Sequence, residues 1–130
     1  MIDSDKQVAY WINGAVDDLK SANILIERNR LLHGLFFCHL VIEKAIKALV
    51  VKQTKELSPR SHNLLFLSEK IDLEFTEDFE NFLGILMKYQ LQGRYPDYNP
   101  NIPTKSKSKS TCTNYLIKTE KLLTWLQEKL

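Results

Sequence analysis

The chain is short of turn chemistry: its 130 residues include only 4 glycines and 4 prolines. That scarcity excludes a sandwich or barrel built from many short strands, each of which needs its own turn. Cysteine is nearly absent too. Cys38 and Cys112 stand alone, with neither the close pairing nor the density of a disulfide framework. Cys38 falls in the apolar run Leu35–Phe36–Phe37–Cys38, where a free thiol packs as a small hydrophobe. No hydrophobic run approaches the about 20 residues of a membrane span. The longest, Leu35 to Ile42, is interrupted by His39. The start, Met-Ile-Asp-Ser-Asp-Lys, lacks the basic and apolar regions of a signal peptide. A reducing cytoplasm and no membrane contact are the expectation.

Net charge is small as well, at +2, but its distribution is uneven. Glu69 to Glu80 holds six acids and one lysine, whereas Asn99 to Leu130 holds six lysines and two glutamates. An acidic segment and a basic C-terminal third therefore coexist in a nearly neutral chain. There is no glycine-rich phosphate loop, no paired-carboxylate motif and no Cys/His metal spacing. Neither a metal nor a cofactor is expected.

What is present is helical periodicity. With 44% hydrophobic residues the chain has an ordinary globular composition, and its length suits one domain over residues 1–130. Val8, Ile12, Ala15, Leu19, Ala22 and Ile26 recur at spacings of three and four, which predicts a helix over about 5–28 with Ser4 as its cap. Asp17, Asp18, Lys20 and Glu27 are then expected on its outer face. A second helix, over about 32–53, is apolar on nearly every side, as a helix surrounded by neighbours would be. Its polar residues stand out for that reason. His39, Glu43 and Lys47 form an i, i+4, i+8 ladder, and Glu43 with Lys47 has the favourable order for an ion pair. His39 itself is expected in the core with a satisfied ring nitrogen.

A loop over 54–61 follows, with a short helix expected from about His62 to Ile71. Thr76-Glu77-Asp78-Phe79 offers a cap and first-turn acids for a fourth helix with Phe79, Phe82, Leu83, Leu86 and Met87 as its apolar stripe. Three prolines between Gly93 and Pro103 end it. The Lys105–Ser110 run reads first as a solvated loop and second as a phosphate-contacting patch. A last helix carries Tyr115, Leu116, Leu122, Leu123, Trp125 and Leu126. The fold class is all-α, an up-and-down bundle of four to five helices.

Three pieces occur in order: Glu43-Lys44-Ala45-Ile46-Lys47-Ala48-Leu49, Ser61-His62-Asn63-Leu64, and Arg94-Tyr95-Pro96-Asp97. Together they resemble the HEPN domain family (higher eukaryotes and prokaryotes nucleotide-binding), in its standalone prokaryotic form. The resemblance covers essentially the whole chain. It implies a helical bundle, usually a homodimer, often accompanied by a small MNT-type nucleotidyltransferase in a two-component, toxin–antitoxin-like module that binds nucleotide or RNA.

Glu43, Lys47, His62, Arg94 and Tyr95 are the expected ligand-binding residues. Arg94 could hold a phosphate through its guanidinium fork while Tyr95 stacks on a base. Equally, Arg94 could close the bundle structurally by pairing with Glu43. The nuclease branch of the family carries an R-x(4–6)-H string, which Arg28-Asn29-Arg30-Leu31-Leu32-His33 matches between the first two helices. Arg28 and His33 are thus candidate catalytic residues for the alternative, a metal-independent RNase toxin. A third reading is a purely structural helical adaptor. The leading expectation is a non-enzymatic nucleotide- or RNA-binding interaction subunit.

Overall fold

A computed structural model describes residues 2–94 and 108–130, with 91–94 described by their backbone alone. It contains α1 (Ser4–Glu27), α2 (Leu31–Thr54), α3 (Leu64–Ser68), α4 (Glu77–Arg94) and α5 (Lys109–Gln127). No strand occurs among the described residues. The all-α bundle expected from periodicity is the fold observed.

Helix α2 is the axis of the molecule and packs against α1, α3, α4 and α5. Fourteen of its 24 residues are buried, which explains why its sequence shows no polar face. Around it, one cluster gathers Ala15, Ala22 and Ile26 of α1, Leu64 and Leu67 of α3, Phe82, Leu83 and Leu86 of α4, and Leu116, Leu122, Leu123 and Leu126 of α5. Phe79, Met87, Tyr115 and Trp125 pack on its margin.

Local chemistry sets the helix ends. Asp3, not Ser4, caps α1, accepting from the Lys6 N–H at 3.2 Å. Its carboxylate reaches the free N–H groups one residue earlier than expected. At the other end Asn29 takes a left-handed conformation (φ 64°), and the N–H groups of Asn29 and Arg30 bond the carbonyls of Ile26 and Leu25. This is the Schellman arrangement, with asparagine in place of the usual glycine. Lys109 Nζ bonds the Glu27 carbonyl at 2.9 Å, placing a cation at the negative end of α1. One lysine of the serine-alternating run thus has a structural contact; Lys105 and Lys107 lie outside the described residues.

Three further expectations need correction. The short helix begins at Leu64 rather than His62, because the Asn63 side chain accepts from the Phe66 N–H at 3.0 Å and starts the helix there. The helix ends at Ser68, not Ile71. Asp18 is not on an outer face but 8% exposed, pairing with Lys44 Nζ at 2.6 Å. Gly14 makes room for that pair: a Cβ there would stand 3.2 Å from Lys44 Cδ. Helix α4 also runs through Gly93 to Arg94, slightly beyond its expected stop.

Two glycines should respond oppositely to alanine. A Cβ on Gly34 would meet Ile26 Cγ1 at 2.4 Å and the Ile26 backbone nitrogen at 3.3 Å, where α2 leaves the turn after α1. Ile26 is 2% exposed and cannot retreat. Overpacking of about 1–3 kcal/mol outweighs the gain of about 1 kcal/mol in helix propensity, so Gly34→Ala is expected to lower the melting temperature. Gly84 faces open space within 4 Å, so Gly84→Ala is expected to raise stability by about 0.5–1 kcal/mol. Thermal unfolding of the two variants checks both signs.

Candidate functional site

The polar ladder of α2 meets the α2–α3 loop at one buried carboxylate. Glu43 is 3% exposed. A charge so deep needs partners, and the Glu43 side chain has them in two directions. Lys47, one turn further along α2, donates from Nζ to Glu43 Oε2 at 3.0 Å. His62 approaches from the loop, its Nδ1 lying 3.0 Å from Oε1 and 3.2 Å from Oε2. The periodicity of α2 alone brings Glu43 and Lys47 together; the path of the loop delivers His62.

His39 holds that loop in place. Its ring is fully buried, and Nε2 donates to the His62 carbonyl at 2.8 Å. This fixes the His39 tautomer, because a carbonyl oxygen only accepts. The opposite nitrogen, Nδ1, lies 3.7 Å from Glu43 Oε1. The Phe36 ring stacks beside His39 with centroids 6.5 Å apart. Lys47 Nζ also sits 5.0 Å from the centroid of Trp11 on α1, in cation–π range.

These contacts give His62 a fixed backbone and a fixed ring orientation, while its side chain stays 51% exposed. Glu43 accepts at Nδ1–H, so the outward nitrogen of the neutral ring is Nε2 with its lone pair. Such an arrangement can bond a ligand donor or move a proton. Lys47 and Glu43 are 6% and 3% exposed, so of the three side chains only that of His62 opens to solvent.

Of the five expected ligand-binding residues, three are brought together, with Glu43 bonded to both Lys47 and His62. Arg94 is the last residue of α4, but its side chain falls outside the described residues, as does Tyr95. Arg28 ends α1 as its C-cap and His33 lies in the first turn of α2, both on the surface. Among the described residues neither joins the Glu43 cluster by a hydrogen bond or ion pair.

Trp11 and the His39–His62 contact were not anticipated. The His39–Glu43 spacing signals the latter weakly, but nothing in the spacing of Trp11 marks it as the ring beneath Lys47. No group of three or more His, Cys, Asp or Glu among the described residues is placed to hold a metal ion. None of the described helices is long and apolar enough to cross a membrane.

Comparison with known proteins agrees with this architecture. No curated protein matches the chain. TT1696 from Thermus thermophilus is similar in structure, with a TM-score of 0.83 and 24% identity over 95% of this chain and 98% of that one. ST0689, an archaeal HEPN homologue, superposes with a TM-score of 0.73 and 24% identity over 94% of this chain and 96% of its own. The model of the HEPN domain matches residues 8–130, which span the helical bundle and the Glu43–His62 contact alike. The chain belongs to the HEPN domain family.

Proposed function

We propose that this protein is a nucleotide- or RNA-binding interaction subunit, homodimeric and paired with an MNT-type nucleotidyltransferase in a two-component module of the cytoplasm. The observation that carries the binding role is the oriented imidazole of His62. A buried carboxylate, a buried lysine and a second histidine are all spent on holding one half-exposed ring, an arrangement a bundle does not need for its own closure. Family membership supports the same ligand class.

In this reading His62 contacts the ligand, with Glu43 and Lys47 fixing it from behind. Arg94 supplies a guanidinium for phosphate and Tyr95 a ring on which a base stacks. Fluorescently labelled single-stranded RNA, titrated with the purified protein, is the direct test. Saturable binding is expected, weakened about tenfold in Arg94→Ala, the cost of one charge-assisted hydrogen bond. Full affinity in that variant would remove Arg94 from the site. Failure of the wild-type protein to bind RNA or any nucleoside triphosphate would overturn the function itself.

A further inference from the structure

The outward chemistry of His62 says which part of a nucleotide it suits. Glu43 lies 3.0 Å from Nδ1 and is 3% exposed, already satisfied on its other oxygen by Lys47. With the Nδ1 proton given to that carboxylate, the neutral ring presents only an acceptor to solvent, at Nε2. Nothing among the described residues bonds Nε2, although the side chain is half exposed and its backbone is clamped by His39. An acceptor recognises a donor. Phosphate oxygens are acceptors themselves and offer nothing to it; a ribose 2′-hydroxyl offers a proton.

We propose that His62 Nε2 accepts a hydrogen bond from a ribose 2′-hydroxyl, so that the site selects ribonucleotide chains over 2′-deoxy chains. This rests on the nucleic-acid-binding reading above and adds the part of the ligand that is read. The 2′-hydroxyl is the group by which a protein distinguishes RNA from DNA at one position. Buried Glu43 acts as the positioning residue, and His39 fixes the loop that carries the ring.

Three labelled single strands of one sequence, about 16 nucleotides long, test this: RNA, 2′-O-methyl RNA and DNA. The methylated strand keeps the ribose oxygen but cannot donate, and the DNA lacks the oxygen altogether. Wild-type protein is expected to bind RNA about fivefold tighter than either, the worth of one ordinary hydrogen bond. His62→Ala should bring the three affinities together by weakening RNA alone. His62→Gln, whose side-chain carbonyl also accepts, should restore part of the preference.

Equal binding of all three strands by the wild-type protein overturns the proposal while leaving the nucleic-acid-binding function intact. So does a preference that survives His62→Ala. A uniform loss across the three strands in that variant would assign His62 to phosphate instead and overturn the ribose contact. Absence of binding to every strand would end both readings together.

Discussion

Glu43→Ala is expected to destabilise the protein by about 3–5 kcal/mol, the usual cost of breaking a buried ion pair from one side. The carboxylate is 3% exposed and takes bonds from Lys47 Nζ and His62 Nδ1. Its removal leaves the Lys47 ammonium, itself 6% exposed, with the Trp11 ring as its remaining described cationic contact. A cation–π contact of about 2 kcal/mol when desolvated does not replace the lost pair. Urea unfolding midpoints measure the loss, and an unchanged midpoint would show that the pair carries no stability.

A double variant separates charge from packing. Glu43→Leu with Lys47→Met removes both charges and fills similar volume, and replacements of this kind are often neutral or stabilising. Stability near that of the wild type is therefore expected, with RNA binding weakened by up to about fivefold, the cost of one ordinary hydrogen bond, because His62 no longer has its carboxylate. If the double variant keeps both stability and affinity, the cluster is a structural device and the protein is better described as an adaptor.

Alkaline pH should erode stability steeply, and Cys38 is the main reason. Burial pushes its thiol from 9.0 up to about 12, opposed by a hydrogen bond with Thr119 and reinforced by Cys112 and Glu120. Tyr89 moves from 10.0 to about 12, again chiefly through burial, with Tyr115 and Cys112 adding to it. Both folded values exceed the unfolded ones, so the folded state keeps protons that the unfolded state releases. The stabilising difference is intact below pH 9 and is lost as pH rises from there toward 12. Each pH unit above 9 favours unfolding by about 1.4 kcal/mol through Cys38 alone.

By pH 10.5 the Cys38 contribution amounts to about 2 kcal/mol, and Tyr89 adds to the decline above pH 10. Unfolding midpoints between pH 8 and 10.5 follow the loss. Cys38→Ala should flatten the slope over that range while lowering stability at pH 8 through its small cavity. Parallel slopes for wild type and variant would mean that the thiol does not report on alkaline unfolding.

Helices α1, α2, α4 and α5 were legible because their information is local. A repeat of three and four in Ala15, Ala22 and Ile26, or in Phe82, Leu83 and Leu86, specifies a buried stripe whatever lies against it. The Glu43–Lys47 pair was legible for the same reason, since one helical turn brings the two side chains together. Even the solvent-shy character of α2 follows from composition, as apart from the His39–Glu43–Lys47 ladder it is apolar on nearly every side.

Contacts across long stretches of sequence were legible only in part: Glu43, Lys47 and His62 are expected at one site, but the bonds between distant residues are not written in local periodicity. Asp18 looks like an outer residue until α2 lies beside α1 and Lys44 crosses above Gly14 to reach it. His62 lies 19 residues from Glu43, and only the course of the α2–α3 loop makes them neighbours. The sequence offers Lys47 or Arg94 as the counter-charge of Glu43; Lys47 is described in that role, and the Arg94 side chain lies outside the described residues. Local periodicity determined which segments are helices and which of their faces are apolar. Tertiary packing decided which charges are buried and which partner each one has, because desolvation is set by neighbours that arrive from elsewhere in the chain.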